Sequence, residues 1–296
     1  MAETRIPEPG PESPARMAPQ ASPALKPPRR RPKGYSVRTL PCFAVLAIFT
    51  FFALYAPILI LVAFSFNAGE SLARWEGFSL RWYVAAAGNE QVIDAAIRSV
   101  YLAAAAAAIA TVAATCAALA TTRTRRFKGR TMIYALINQP LMVPEIVTAV
   151  ALLIVFAAIK VWTGHTSMVY LIAAHTAFGV PFAYLPIRAR LETMDDTLEV
   201  AARDLYAAPF QVFRRVTLPL MWPGIIAGFM LAFVISMDDV VITEFVKSAG
   251  QETIPTYMLG QLRRVVTPEI NAISSVILLA GAILVSLFFW ISRNRR

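Results

Sequence analysis

The sequence predicts an all-α integral membrane protein with six transmembrane helices. Of its 296 residues, 57% are hydrophobic and only 16% are charged, whereas soluble domains carry about 25% charged residues. Apolar stretches long enough to cross a bilayer, about 20 residues each, recur along the chain. Short basic clusters lie before the first stretch and after every second one, as the positive-inside rule describes for membrane proteins.

The formal net charge of +10 does not indicate a nucleic-acid-binding protein. The basic residues lie in short clusters between apolar runs, and no basic domain with aromatic platforms is present in the sequence. The two cysteines, Cys42 and Cys116, both lie inside apolar runs. A disulfide framework and a structural zinc site are therefore not expected.

The N-terminal part of the chain divides into a tail and a first membrane span. Residues 1–38 are rich in proline and arginine, which predicts a disordered cytoplasmic tail before a membrane domain at 39–296. The first span, at about 41–66, is longer than the apolar region of a signal peptide. We therefore expect it to remain as an uncleaved helix, with the basic residues before it in the cytoplasm.

Five further spans are predicted, at about 95–120, 132–159, 168–187, 221–246 and 270–291. Alanine dominates the second span, and because small residues let helix backbones approach closely, this span is expected inside the bundle. The third span contains Pro140 and Pro144, which resemble the broken helices that line transport pathways. Basic residues after spans two, four and six place both termini in the cytoplasm.

Three carboxylates lie within the apolar spans, at Glu145, Asp238 and Asp239. On insertion scales a charge at the helix centre costs about 2.5–3.5 kcal/mol, so each acid indicates a function by default. Adjacent helical residues diverge by about 100°, so one aspartate is expected to face a pathway and the other a neighbouring helix or subunit. Acids that face water would favour a cationic solute. The alternative is that they are protonated or paired and only tie the bundle together.

An amphipathic segment at 198–223 connects spans four and five and interleaves apolar with charged residues. Its portion 198–219 resembles the EAA loop of bacterial ABC importer permeases, whose pattern is Glu-Ala-Ala, three residues, Gly, nine residues, Ile-x-Leu-Pro. The matching residues, at the family spacing, are Ala201, Ala202, Leu218 and Pro219. In that family the loop forms a short coupling helix that seats in a cleft on the ATPase subunit.

Two positions depart from the family pattern. Val200 occupies the Glu position, with an acid displaced to Glu199, and Tyr206 occupies the Gly position. Glycine usually permits a positive φ or a close approach, and tyrosine permits neither cheaply. Either the loop bends differently here, or the partner ATPase has a matching recess. The resemblance implies an ATPase-coupling site formed by Glu199, Ala201, Ala202, Leu205, Tyr206, Ala207, Leu218 and Pro219.

The resemblance extends from about residue 40 to the C-terminus. The stretches that carry it most specifically are VPEIVTAVALLIVF, AFVISMDDVVITEFV and TPEINAISSVILL, which look like the second permease subunit of spermidine/putrescine importers. This implies the type I ABC importer permease fold in a bacterial inner membrane. It also implies three kinds of protein partner: a homologous permease, two copies of a cytoplasmic ATPase and an extracytoplasmic solute-binding protein.

The resemblance implies a transport subunit rather than an enzyme. No cofactor is expected on this chain, and ATP and Mg²⁺ are expected in the partner ATPase. Close relatives of polyamine permeases could handle another amine, an amino acid or an opine-like solute, so these substrates stay open. A proton-coupled secondary transporter that uses the same acids is the alternative from a different class. An intramembrane aspartyl hydrolase is disfavoured, because adjacent aspartates on one helix do not readily form a shared-proton dyad.

Overall fold

The computed structural model describes residues 41–71, 74–124, 128–263 and 267–293. Side chains are described in these ranges except at 41–43 and 287–293. The predicted disordered tail, residues 1–38, lies outside the described residues, as do the basic residues Arg125, Arg126, Arg295 and Arg296.

Helices make up most of the described chain. In chain order they are α1 Pro41–Phe64, α2 Arg81–Gly88, α3 Glu90–Thr122, α4 Arg130–Met142, α5 Glu145–Thr163, α6 Met168–Glu192, α7 Thr197–Asp204, α8 Pro209–Val212, α9 Leu218–Asp238, α10 Val241–Val246, α11 Ile254–Leu262 and α12 Glu269–Arg293. A π-helical turn, Phe213–Thr217, joins α8 to α9.

Six segments of the described chain are long and apolar enough to cross a membrane. They are Ala44–Phe64, Glu90–Thr122, Glu145–Thr163, Met168–Glu192, Pro209–Asp238 and Glu269–Ser286. The predicted third span, 132–159, falls on two helices rather than one, because the chain breaks between α4 and α5. The predicted fifth span, 221–246, is likewise interrupted between α9 and α10.

The described chain divides into two units between Leu54 and Tyr55. The described part of the first unit is helical, and its side chains from residue 44 onward are exposed. Within it, the Thr50 hydroxyl donates to the Leu46 carbonyl oxygen at 2.8 Å. The second unit contains the packed core and every residue of the two predicted sites.

Helices α3, α6 and α9 pack against one another and form the centre of the second unit. The buried face of α3 includes the alanines Ala95, Ala103, Ala106, Ala107, Ala110, Ala114 and Ala118. On α9, a Cβ added at Gly228 would lie 2.7 Å from the Ala183 carbonyl oxygen of α6. Small residues therefore set the close approach of these helices. The prediction that the alanine-rich span lies inside the bundle is confirmed.

Two breaks interrupt the membrane helices. The first lies at Val143 and Pro144, between α4 and α5, whereas Pro140 remains inside α4. The second follows Asp238, where Asp239 is extended with φ −65° and ψ 126° before α10 begins. Helix α10 packs against α5. The broken third span that proline suggested is therefore present, at Pro144.

Candidate functional site

The structure brings the three intramembrane carboxylates together at the two helix breaks. Glu145 is the first residue of α5, Asp238 is the last residue of α9, and Asp239 follows it. Helix α5 packs against α10, and the Glu145 carboxyl lies close enough to those of Asp238 and Asp239 for their charges to interact. Residues almost a hundred positions apart in sequence thus form one acidic group, which the sequence suggested only as three separate acids.

Asp239 is committed to contacts inside the protein. Its side chain is 2% exposed, and its Oδ2 accepts from the Thr243 backbone N–H at 2.9 Å and the Thr243 hydroxyl at 2.8 Å. Its Oδ1 accepts from the Ile242 N–H at 3.2 Å. These donors belong to the first turn of α10, whose N–H groups lack partners within the helix. Asp239 therefore caps α10 across the break.

His175 connects three helices through the same group of polar residues. Its Nδ1 forms a hydrogen bond with the Ser236 hydroxyl of α9 at 2.8 Å, and its Nε2 forms one with the Thr243 hydroxyl of α10 at 2.9 Å. The His175 Nε2 also lies 3.4 Å from Asp239 Oδ2. Because the Thr243 proton is given to Asp239, Nε2 carries the imidazole hydrogen and Nδ1 accepts from Ser236. His175 of α6 is therefore hydrogen-bonded to both α9 and α10.

Asp238 and Glu145 differ from Asp239 in exposure. Asp238 is exposed and Glu145 is half-buried. Within the part of the chain that the structure describes, neither carboxylate has a lysine or arginine within ion-pair distance. Of the two adjacent aspartates, Asp238 therefore lies at the surface of the chain and Asp239 lies inside it.

Lys160 fixes the far end of the same helix pair. This residue lies near the C-terminal end of α5, and its Nζ donates to the Val246 carbonyl oxygen at 2.9 Å and to the Ser248 hydroxyl at 3.0 Å. A cation at the C-terminus of α10 satisfies carbonyl groups that the helix leaves free. Helix α5 thus meets α10 at both ends, through Glu145 at the break and through Lys160.

The predicted coupling loop contains α7 and a tight turn after it. The Tyr206 N–H donates to the Arg203 carbonyl at 2.9 Å, and the Ala207 N–H donates to the Ala202 carbonyl at 3.2 Å. This pair of bonds is the Schellman ending of a helix, in which the residue at the Tyr206 position is usually glycine in the left-handed conformation. Tyr206 has a φ of 60°, the one positive φ of a non-glycine residue in the described chain.

Tyr206 therefore adopts the backbone conformation that glycine would adopt. The expectation that the loop bends differently because of tyrosine is wrong, since the hydrogen bonds of the turn form around it. Its side chain is 98% exposed, which spares the ring from steric contacts inside the chain. The other alternative, a recess in a partner that accommodates the ring, stays a prediction.

The remaining residues of the predicted coupling site divide by exposure. Ala201, Leu205 and Pro219 are exposed, and Ala202, Ala207 and Leu218 are half-buried. Glu199 differs, because it is buried and its carboxylate points into the chain. There it accepts from the Thr217 hydroxyl at 3.0 Å and lies 3.3 Å from Arg123 Nε. Val200, at the family's Glu position, is 51% exposed.

Sequence reasoning missed several residues of these two sites. Thr243 and Ser236 were overlooked, although polar residues at 236, 239 and 243 recur at helical spacing and give a detectable signal. Arg123 belongs to the basic residues after span two, whose pattern predicts only a cytoplasmic flank. Its contact with Glu199 joins residues far apart in sequence, and no local pattern predicts such a pair.

A comparison with protein-family models identifies the class of this chain. The model described as "binding-protein-dependent transport system inner membrane component" matches residues 111–294, more than half of the chain. The chain belongs to this family. The family and the six apolar helices make it a multi-pass inner-membrane protein and a transport subunit, as the sequence predicted.

Curated relatives cover most of the chain. The putrescine transport system permease protein PotI of Escherichia coli (strain K12) is 37% identical over 237 residues, which are 79% of this chain and 84% of the relative. The spermidine/putrescine transport system permease protein PotC of Haemophilus influenzae is 36% identical over 241 residues, covering 81% and 92%. PotC of E. coli (strain K12) is 32% identical over 242 residues, covering 82% and 90%.

Solved structures of ABC transporters share the fold. A chain of a bacterial alginate ABC transporter in complex with its periplasmic protein aligns with a TM-score of 0.66 and 16% identity, covering 86% of this chain and 94% of that chain. A chain of the inward-facing MetNI methionine ABC transporter aligns with a TM-score of 0.55 and 17% identity, covering 70% and 98%. These likenesses confirm the predicted ABC importer permease fold.

Proposed function

We propose that this chain forms half of the translocation pathway of an ATP-driven polyamine importer, in which Glu145 and Asp238 contact the cationic solute. The observation that carries the proposal is the position of these two carboxylates. Both lie at breaks in membrane helices, and both retain accessible oxygens. Acids inside a membrane are costly and mark substrate or ion routes. The names of the relatives, which are putrescine and spermidine permeases, support the same substrate class.

The two carboxylates suit a solute with separated ammonium groups. An ammonium group has three N–H donors and no acceptor, so it matches carboxylate oxygens that no protein cation occupies. In this proposal Asp239 does not touch the solute. It is a positioning residue that fixes the break beside Asp238.

The proposed assembly contains a homologous permease subunit, two copies of a cytoplasmic ABC ATPase and an extracytoplasmic solute-binding protein. ATP and Mg²⁺ bind to the ATPase, and this chain holds no cofactor of its own. Both termini and the coupling segment at 198–219 lie on the cytoplasmic side. The exposed residues of that segment, Ala201, Leu205, Tyr206 and Pro219, contact the ATPase.

Transport in this scheme is a population shift between inward-open and outward-open states. ATP binds the closed ATPase dimer more tightly than the open one, and the coupling segments carry that preference to the permeases. The permease pair then opens outward and receives the solute from the binding protein. ATP hydrolysis reverses the preference and returns the pathway to the inward-open state.

The test is ATPase stimulation in liposomes that contain the complete transporter. Purified solute-binding protein is added with putrescine, spermidine, a neutral amino acid or no ligand. The proposal predicts stimulation by the putrescine-loaded or spermidine-loaded protein above the ligand-free level. If both polyamines fail while another solute stimulates hydrolysis, the substrate class is wrong.

A further inference from the structure

The coupling segment is attached to three membrane helices, to two of them covalently and to the third through side chains. Covalently, the segment continues from α6 and leads into α9. Helix α3 ends at Thr122, and Arg123 follows as its C-terminal cap residue. The Arg123 guanidinium bridges to the segment through an ion pair with Asp196 and through its Nε, 3.3 Å from Glu199 Oε1.

The Glu199 end of this bridge is buried and held from two sides. The Glu199 and Arg123 side chains are 10% and 18% exposed. The Thr217 hydroxyl donates to Glu199 Oε1 at 3.0 Å. Thr217 is the last residue of the π-helical turn that leads into α9, and such turns shift the register of the residues that follow. One carboxylate oxygen therefore contacts both the end of α3 and the base of α9.

We infer that Glu199 and Arg123 act as a strut that transmits displacement of the coupling segment to helix α3. The inference rests on the proposed function, because it concerns how ATPase motion reaches the membrane helices. Helices α3, α6 and α9 pack together as the core. With the strut in place, motion of the segment reaches all three helices at once. Without it, the segment pulls directly only on α6 and α9.

Glu199 is thus a positioning residue rather than a contact with the ATPase. The acid at the neighbouring family position would face outward, where Val200 is 51% exposed. A shift of one residue turns a helical side chain by about 100°. The Glu199 carboxylate therefore contacts groups inside this chain, whereas a carboxylate at position 200 would face the partner.

The experiment measures solute uptake and ATP hydrolysis together in liposomes that contain the complete transporter. The variants are Glu199→Gln, Arg123→Gln and the double variant. A variant that only impairs folding lowers both rates in parallel and leaves their ratio unchanged. The strut predicts that uptake per ATP hydrolysed falls by about fivefold or more, the usual scale of coupling between sites. The double variant is expected to match Arg123→Gln, because that single variant already removes the contact with Glu199.

A matched control is Glu192→Gln. Glu192 pairs with Arg188 at 2.7 Å within helix α6, so this variant removes an acidic partner of an arginine without touching a link between elements. Its uptake per ATP is expected to equal that of the wild type. Arg123→Lys keeps the positive charge, so its uptake per ATP hydrolysed is expected to lie between those of Arg123→Gln and the wild type.

The outcomes separate the inference from the function on which it rests. If the wild-type complex shows ATP-dependent polyamine uptake and Glu199→Gln has the same uptake per ATP hydrolysed, only the strut is overturned. Additive losses in the double variant also overturn it, because the two residues would then act independently. A wild-type complex without ATP-dependent uptake overturns the proposed function and the strut with it.

Discussion

Two regions of this chain each bury an acidic residue beside a neighbour that faces outward. At the break after α9, Asp239 is buried and Asp238 is exposed; in the coupling segment, Glu199 is buried and Val200 is exposed. Both buried acids accept hydrogen bonds from groups of the same chain. The outward neighbours differ, because one is a carboxylate and the other is an apolar side chain.

This difference indicates how each surface selects its partner. The inward acids stabilise a local backbone geometry, Asp239 by capping α10 and Glu199 by joining α3 to the base of α9. The outward positions remain available to a ligand. In the proposed function, a carboxylate inside the membrane suits a cation, whereas an apolar residue on the coupling segment suits an apolar cleft of the ATPase. The role of an acidic residue therefore depends on whether its side chain faces into the chain or outward.

The largest expected effect comes from removing the inward acid at the break. Asp239→Ala leaves the N–H groups of Ile242 and Thr243 without their acceptor, while the Thr243 hydroxyl keeps the Asp239 carbonyl oxygen at 3.3 Å. Unsatisfied buried donors cost about 1–3 kcal/mol each, so the free energy of unfolding is expected to fall by about 2 kcal/mol or more. Thermal unfolding of the detergent-solubilised protein measures this loss.

The control is Asp238→Ala, at the adjacent exposed position. Surface substitutions usually change stability by less than about 0.5 kcal/mol, so its unfolding temperature is expected to match that of the wild type. Equal losses in the two variants would remove the distinction between the inward and the outward aspartate.

A smaller effect is expected at the half-buried acid. Glu145→Gln removes a charge that is proposed to contact the solute, so polyamine uptake by the assembled transporter is expected to fall about tenfold, which corresponds to about 1.4 kcal/mol. Stability is expected to hold, because Glu145 lies beside the like charges of Asp238 and Asp239. Uptake normalised to assembled complex is the measurement. Glu252→Gln, at an exposed acid outside the six apolar helices, is the control and should transport normally.

The smallest effect is expected in the coupling segment. Tyr206→Gly places glycine at a residue with left-handed backbone conformation, which removes about 1–2 kcal/mol of strain from the folded state. Glycine also raises the entropy of the unfolded chain, which offsets part of this stabilisation. The Ala207 N–H, which bonds the Ala202 carbonyl, is expected to exchange with solvent about twofold more slowly. Hydrogen exchange of the segment measures this change. In contrast, Leu205→Gly, at a φ of −82°, should speed exchange; slower exchange in both variants would contradict the explanation.

The membrane helices were predictable because their signal is local. A run of apolar residues with a basic flank carries its own evidence, and proline marked the break at Pro144. The direction of Asp239 was not predictable in the same way. The apolar run 221–246 predicts one helix, whereas the chain leaves the helix after Asp238 and the capping bonds decide where Asp239 points.

The polar contacts between distant segments were outside the reach of the sequence. His175 meets Ser236 and Thr243 only because α6 packs beside α9 and α10. Arg123 meets Glu199 only because the coupling segment folds back beneath α3. At Tyr206 the family pattern predicted a special conformation correctly, but residue preference alone argued against it. The hydrogen bonds of the turn outweigh a strain of about 1–2 kcal/mol.

The role of Asp238 in the solute pathway is tested most directly by polyamine uptake of the complete transporter carrying Asp238→Asn, measured per assembled complex in liposomes. Asparagine keeps the size and polarity of the side chain and removes only its charge. We expect normal assembly and unfolding temperature, with uptake of putrescine about tenfold below that of the wild type. Wild-type uptake in this variant would contradict the assignment of the outward aspartate to the solute pathway.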